Sequence, residues 1–236
     1  MQAPPTGLDL DNWSPPEQRD PDDCRASGDA RGSDWRGRDL ASIDLGGSNL
    51  CRVDLRGTNL EQCNLEGCDL RLARYDSTTR FPEGFDVASS GAVGPGARLS
   101  GVFLNCTDLR GMDLRGASLM GAYLSGADLS GALLDGVRFT GSDLRNATLR
   151  GASCRGTRFG TCQLNFADFR GADLTDAALE TAESIQGADF SLSLGMAAQA
   201  EALLTRNHQE LDCWNPITRN HTRSTLETLR ATGSKL

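Results

Sequence analysis

Residues 33–77 read SDWRG RDLAS IDLGG SNLCR VDLRG TNLEQ CNLEG CDLRL ARYDS, and a large apolar residue returns at every fifth position. Its occurrences are Trp35, Leu40, Leu45, Leu50, Leu55, Leu60, Leu65, Leu70 and Tyr75. The same spacing resumes at Leu99 and runs through Leu104, Leu109 and onward to Leu179, with Phe139, Cys154, Phe159 and Phe169 taking some of the places. Two residues before each centre lies a second register of small side chains, such as Ala97, Ala117, Ala122, Ala127 and Ala132. Between the two registers the residue is usually Asp, Asn or another polar type. A period of five fits neither a 3.6-residue helix nor a two-residue strand. It fits a chain that turns a corner every five residues. Positions two apart in a short extended piece point to the same side, so both apolar registers face inward. The two residues after each centre, often ending in Gly, make the corner.

These runs, together with GADLS at 126–130 and GADLT at 171–175, resemble the pentapeptide-repeat family with its A(D/N)LXX consensus. The resemblance covers about residues 33–190. It implies an all-β solenoid, a right-handed quadrilateral β-helix with four repeats in each 20-residue coil, whose length is approximately quasi-one-dimensional in its energetics. Open ends of such a stack expose backbone donors and acceptors, so caps are expected.

Three segments fall outside the pattern. Residues 1–30 are rich in Pro and Asp and read as an N-terminal arm or cover, with Trp13 favouring some docking. Residues 31–190 are the expected solenoid, interrupted by a loop at 76–96, DSTTRFPEGFDVASSGAVGPG. That loop is similar to one in cyanobacterial members, on Ala73, Tyr75, Thr79, Phe81, Pro82, Gly84, Phe85, Asp86, Gly91 and Ala92, with Val87 where proline is usual. It reads either as an Ω-loop anchored on Phe81 and Phe85 or as a recognition loop. After Leu179 the frame slips by one residue and recovers at GADF, 187–190. Residues 191–236 are expected to form a helical C-terminal cap, with one helix over 196–207 and a second starting at a capping box, Ser224 and Glu227. Asn215-Pro216-Ile217-Thr218 followed by Thr222-Arg223 resembles a tail of cyanobacterial and plastid members.

Composition narrows the function. Net charge is −8, which disfavours direct binding to nucleic-acid backbones. The basic residues are all Arg except Lys235, which suits fixed Arg–Asp rows. No apolar run is long enough for a membrane span, and the N-terminus lacks the pattern of a signal peptide, so a cytoplasmic location is expected. No Cys/His cluster has zinc spacing and no phosphate loop is present, so no metal or other cofactor is expected. Cys63, Cys68, Cys154 and Cys162 fall in inward registers, whereas Cys51 and Cys106 face outward.

Residues 20 apart should stack on one wall. One row then reads Arg98, Ser118, Arg138, Arg158, and the next reads Phe103, Tyr123, Asp143, Gln163. The candidate interaction residues are therefore Phe103, Tyr123, Phe81, Phe85, Arg98, Arg138 and Arg158, with the loop at 76–96 as a rival cover for the aromatic pair. The leading expectation is a non-catalytic scaffold that binds a protein partner. The alternatives are a DNA mimic that binds a topoisomerase such as gyrase, as some members of the family do, and, more remotely, an enzyme. A homo-oligomer through the C-terminal region is a further expectation.

Overall fold

The computed structural model describes residues 28–41 and 43–233. The expected N-terminal arm, with Trp13 and Cys24, lies almost wholly outside the described residues. The chain divides into two compact units, Met1–Ala92 and Val93–Leu236.

In the second unit each repeat gives one short extended step, paired in parallel with the step one coil later. Four rows result, so the coil has four walls. Wall A joins Arg98, Ser118, Arg138 and Arg158; wall B joins Phe103, Tyr123, Asp143 and Gln163. Wall C joins Asp108, Asp128, Thr148 and Asp168; wall D joins Asp113, Leu133, Ser153 and Asp173. The ladder is continuous. Leu104 N–H donates to Tyr123 O at 2.7 Å, and Tyr123 N–H donates to Val102 O at 2.9 Å. At a corner, Ala122 N–H donates to Leu119 O at 3.1 Å. Gly121, third in that four-residue turn, has φ +63°, the left-handed value that a type II turn needs at that place. This is why Gly so often closes the pentad.

Both inward registers are buried as the spacing predicts. Leu104, Leu124 and Leu144 alternate with Ala122, Ala127 and Ala147 in a narrow interior. Later coils carry an aromatic column. Phe139 stacks on Phe159 at 5.6 Å, Phe159 meets Phe169 edge-on at 5.6 Å, and Phe169 stacks on Phe190 at 5.2 Å. Three polar residues in the small register, Ser142, Thr157 and Cys162, are satisfied by the coil before them. Thr157 Oγ1 donates to Leu134 O at 2.7 Å and Cys162 Sγ to Phe139 O at 2.9 Å, so neither leaves an orphan donor in the core.

The slip after Leu179 is absorbed as one extra residue in the ladder. Cys162 O accepts from both Glu183 N–H and Ser184 N–H, at 2.9 and 3.4 Å. Pairing then continues 21 residues apart, through Gln163 with Ser184, Asp168 with Asp189 and Asp173 with Leu194. At Gly195 an added Cβ would stand 2.4 Å from Thr175 Cα, so only Gly passes there.

Three helices follow: α1 at Ala197–Leu203, α2 at His208–Leu211 and α3 at Thr222–Gly233. A two-residue antiparallel ladder joins β1, Trp214–Asn215, to β2, Asn220–His221. The sequence predicts one helix over 196–207, but the chain breaks after Leu204 because Asn207 caps a new helix, its side chain accepting from Glu210 N–H. The expected capping box at Ser224 does not form. Helix α3 begins two residues earlier, and Ser224 Oγ donates to His221 O at 2.8 Å. The tail reaches the last coil through buried polar groups. Ile185 N–H donates to Glu210 Oε1 at 2.6 Å, Phe190 N–H to Thr225 Oγ1 at 3.4 Å, and Asn215 Nδ2 to Gly187 O at 2.8 Å. Burial alone would raise the Glu210 pKa, but the Arg206 guanidinium at 2.7 Å and the Ile185 N–H hold its carboxyl below the usual range.

The first unit repeats the same coil. Asp29 pairs with Asn49, Asp34 with Asp54, and Asp39 with Asn59. The interruption is shorter than the lost periodicity suggests. Three residues, Asp76, Ser77 and Thr78, occupy a corner that normally takes two, and Arg80 then pairs with Asn59 as an ordinary ladder step. Phe81 therefore stands at a centre position, edge-on to Tyr75 at 5.6 Å. Phe85 stacks on Phe81 at 5.6 Å and, with Val87, packs against this unit's core.

The aromatic column should make an interior truncation costly. Phe159→Ala is expected to destabilise by about 3–5 kcal/mol, whereas Phe103→Ala on the outside should change stability by roughly 0.5 kcal/mol or less. Denaturant unfolding of both variants checks this, and equal effects would contradict the assignment of inside and outside.

Candidate interaction surface

The surface of each wall follows from what occupies the ladder step and the corner after it. Where the step is Asp and the first corner residue is Arg, the two lock together. Asp108 Oδ1 accepts Arg110 N–H at 3.1 Å and Arg110 Nε at 2.9 Å, while Oδ2 accepts Arg110 Nη2 at 2.7 Å. Asp113 with Arg115, Asp143 with Arg145, and Asp168 with Arg170 repeat this fork in the second unit. Asp34 with Arg36, Asp54 with Arg56, and Asp69 with Arg71 repeat it in the first. A planar guanidinium matches a carboxylate two residues before it, and lysine would not. On wall C, Arg150 also stands 4.0 Å from Asp168, so that acidic row carries its own counter-charges.

Wall A departs from this rule. Its ladder steps carry no acid, and Ser118 there is buried. Arg138 and Arg158 are exposed, directly paired across adjacent coils, and have no carboxylate within ion-pair distance among the described residues. Arg98 starts the same row.

Wall B begins with an aromatic pair. Phe103 and Tyr123 stack at 4.6 Å with their planes 5° apart, and they remain 69% and 44% exposed. Further along, Asp143, Arg145, Gln163, Asn165, Phe166, Glu183 and Ser184 line shallow polar depressions, the larger of about 500 Å³. Met120 stands on the corner between Ser118 of wall A and Tyr123 of wall B and is 42% exposed. The sequence reading missed it. Its place one residue before a corner Gly, where Ser or Arg is commoner, was the available signal.

Of the sequence-predicted residues, Phe103, Tyr123, Arg98, Arg138 and Arg158 thus lie on two adjacent walls of one unit. Phe81 and Phe85 are half-buried in the other unit, against its core. The inward thiols are bonded to backbone carbonyls: Cys63 Sγ donates to Leu40 O at 2.7 Å and Cys68 Sγ to Leu45 O at 2.8 Å. Burial pushes the Cys63 thiol up to about 11 and Cys162 up to about 12, which makes them poor nucleophiles. Among the described residues no group of His, Cys, Asp and Glu has the arrangement to hold a metal ion, and no helix is long and apolar enough to cross a membrane.

Comparison with known proteins gives a consistent set of likenesses. A family model described as pentapeptide repeats matches in 8 copies, over residues 39–71, 95–131, 127–162 and 142–180. Together these spans take in half of the chain. Among solved structures, a pentapeptide repeat protein from the Arabidopsis thaliana thylakoid lumen is 29% identical, with 56% of this chain and 88% of that one covered and a TM-score of 0.41. HetL from the cyanobacterium Nostoc, described as involved in heterocyst differentiation regulation, is 22% identical over 70% of this chain and 86% of its own, with a TM-score of 0.29. QnrB1, a plasmid-mediated fluoroquinolone resistance protein, is 20% identical over 77% and 91%, with a TM-score of 0.30. No match is found among curated proteins.

The forks fix the sign of an acid effect. The Arg36 fork holds Asp34 down to about 2, Arg71 lowers Asp69, and Arg145 lowers Asp143. A carboxyl with a depressed folded pKa adds stability that is complete above its unfolded value of about 4 and is lost as pH falls through the folded value. Thermal melting should therefore be insensitive to these groups from neutral pH down to about 5 and should fall between about 4 and 2. The forks are solvent-screened, so each contributes about 1 kcal/mol at most. The triple variant Asp34→Asn, Asp69→Asn, Asp143→Asn should show a smaller acid decline than the parent. A decline of unchanged size would show that the forks contribute nothing.

Proposed function

This chain belongs to the pentapeptide-repeat family, and from that premise we propose that it is a non-catalytic interaction module that holds a protein partner on walls A and B of its second unit. Members of the family fold as right-handed quadrilateral β-helices, in keeping with the 20-residue, four-walled coil described above. The observation that carries the reading is the stacked, outward Phe103–Tyr123 pair with Met120 beside it. Exposed aromatics fixed on a rigid ladder lose little conformational entropy on binding and are the residue types that dominate binding energy at interfaces. Helices α1 to α3 act in this reading as the C-terminal cap, since their side chains take up donors and acceptors of the last coil. The tail motif has a use of its own: Asn215 accepts Ile217 N–H and Thr218 N–H while its amide bonds Gly187 O.

Catalysis finds less support, because the carboxylates of walls B, C and D are largely tied to Arg, Ser or Thr partners rather than converging on a pocket. The DNA-mimic reading draws on the net charge of −8. It is weakened by the forks, which neutralise the acids row by row. The free thiols fit a reducing, cytoplasmic setting. Leu192 and Leu194, 83% and 60% exposed on the last coil, are the apolar groups through which a second copy would pair.

The test is recovery of a partner by tagged protein from the source cell's extract. Phe103→Ala with Tyr123→Ala should abolish a partner that the parent retains, with melting temperature unchanged. Equal recovery by both proteins would remove the aromatic pair from the function.

A further inference from the structure

We infer that the partner presents an extended acidic segment with aromatic or large apolar residues at one end and carboxylates at the other, laid along the edge between walls A and B. This inference rests on the interaction reading above and adds the chemistry of the partner.

Wall A carries a local conflict in charge. Like charges directly opposite across a ladder are unfavourable. Arg138 and Arg158 stand in that relation, at the coil spacing of about 4.8 Å, and among the described residues no carboxylate lies within ion-pair distance of either. In the second unit the corner arginines of the coils each have an acid: Arg110, Arg115, Arg145 and Arg170 are held by an Asp two residues earlier, and Arg150 and Arg155 stand against Asp168 and Asp173 of the next coil. On wall A arginine takes the ladder step itself, where the residue two before is Gly136 or Gly156. A local rule broken in one place and kept around it marks a surface with a task. In a chain of net charge −8, this row is a concentrated cationic strip, and its complement is anionic.

The arginine row also adjoins the wall that carries the rings. Walls A and B meet at the corners Ser100-Gly101, Met120-Gly121 and Thr140-Gly141. A Cβ added at Gly101 or Gly121 would meet nothing within 4 Å, so the edge is low and open. Arg138 and Arg158 stand one and two coils beyond Tyr123 along the same edge. An extended segment laid along this edge sets its apolar end on Met120 and the Phe103–Tyr123 stack and its carboxylates on the arginines further along. Single-stranded nucleic acid also combines anionic groups with flat rings. It is disfavoured here because the two rings cover one another at 4.6 Å, leaving no gap for a base between them, and because the net charge repels a polyanion.

The probe is a fluorescein-labelled synthetic Glu/Phe peptide, a run of Phe followed by a run of Glu, titrated with the full chain and read by fluorescence anisotropy at low and moderate salt. Parallel titrations use the Glu/Ser peptide, with Ser for every Phe, the Lys/Phe peptide, with Lys for every Glu, and a single-stranded oligonucleotide. The Glu/Phe peptide should bind best and weaken as salt rises. Arg138→Glu with Arg158→Glu should weaken it at least about tenfold, and Phe103→Ala with Tyr123→Ala should bring it down to the level of the Glu/Ser peptide. Melting curves confirm that both variants stay folded. The inference is overturned if the Glu/Phe peptide does not bind, if the arginine reversal leaves its affinity unchanged, or if the Lys/Phe peptide or the oligonucleotide binds as well. If the peptide fails while the aromatic variant still loses its cellular partner, the acidic-segment chemistry is wrong and the interaction reading stands.

Discussion

The parallel ladder between coils is the constraint on which everything else depends. Each backbone step must meet the step 20 residues later, as Leu104 N–H meets Tyr123 O and Tyr123 N–H meets Val102 O. Satisfying these groups removes the backbone from water and sets the wall spacing. It also sorts the pentad: two positions must fill a narrow interior, one must stand on the outside of the step, and two must turn. Where one residue too many enters, at Asp76–Thr78 or at Glu183–Ser184, the ladder takes it up locally and resumes 21 residues apart.

Because the backbone leaves so little choice inside, the outside becomes the variable part. The same step position carries Asp locked to a following Arg on wall C, an aromatic pair at the start of wall B, and on wall A Arg138 and Arg158, with no carboxylate within ion-pair distance among the described residues. These differ in consequence. A fork is close to neutral and offers a partner little beyond its polarity. A stacked pair offers apolar area already ordered. Adjacent arginines offer charge whose self-repulsion an anion relieves. The rigid coil holds these three kinds of wall at fixed positions in one unit, which is the physical content of calling it a scaffold.

Much of this was legible in the sequence, for identifiable reasons. The five-residue return of Leu and Phe, with Ala two places earlier, is a strong signal because every repeat must fill the same interior. Stacking residues 20 apart brings out the Phe103–Tyr123 pair and the Arg98, Arg138, Arg158 row, since the ladder step lies between the two inward registers and faces away from the interior. Other features were hidden. Arg80 and Phe81 are an ordinary step and centre, but one added corner residue shifts them out of frame, and periodicity cannot see across a shift. The start of α3 at Thr222 was misread because Ser224 and Glu227 fit a capping pattern, whereas the chain enters the helix directly from β2. The Asp–Arg forks were visible only as a composition bias, because the two-residue match between carboxylate and guanidinium depends on the backbone shape of the corner.

Arginines on this chain are of two kinds, locked and available. Solvent exchange of the arginine Nε–Hε protons, followed residue by residue by nuclear magnetic resonance, separates them most directly. Arg110, Arg115, Arg145 and Arg170, each donating Nε–H to an Asp, are predicted to exchange slowly. Arg138 and Arg158 are predicted to exchange fast, at the rate of a free side chain. Uniform exchange across all six, or protection of Arg138 and Arg158 in the isolated protein, would contradict the account.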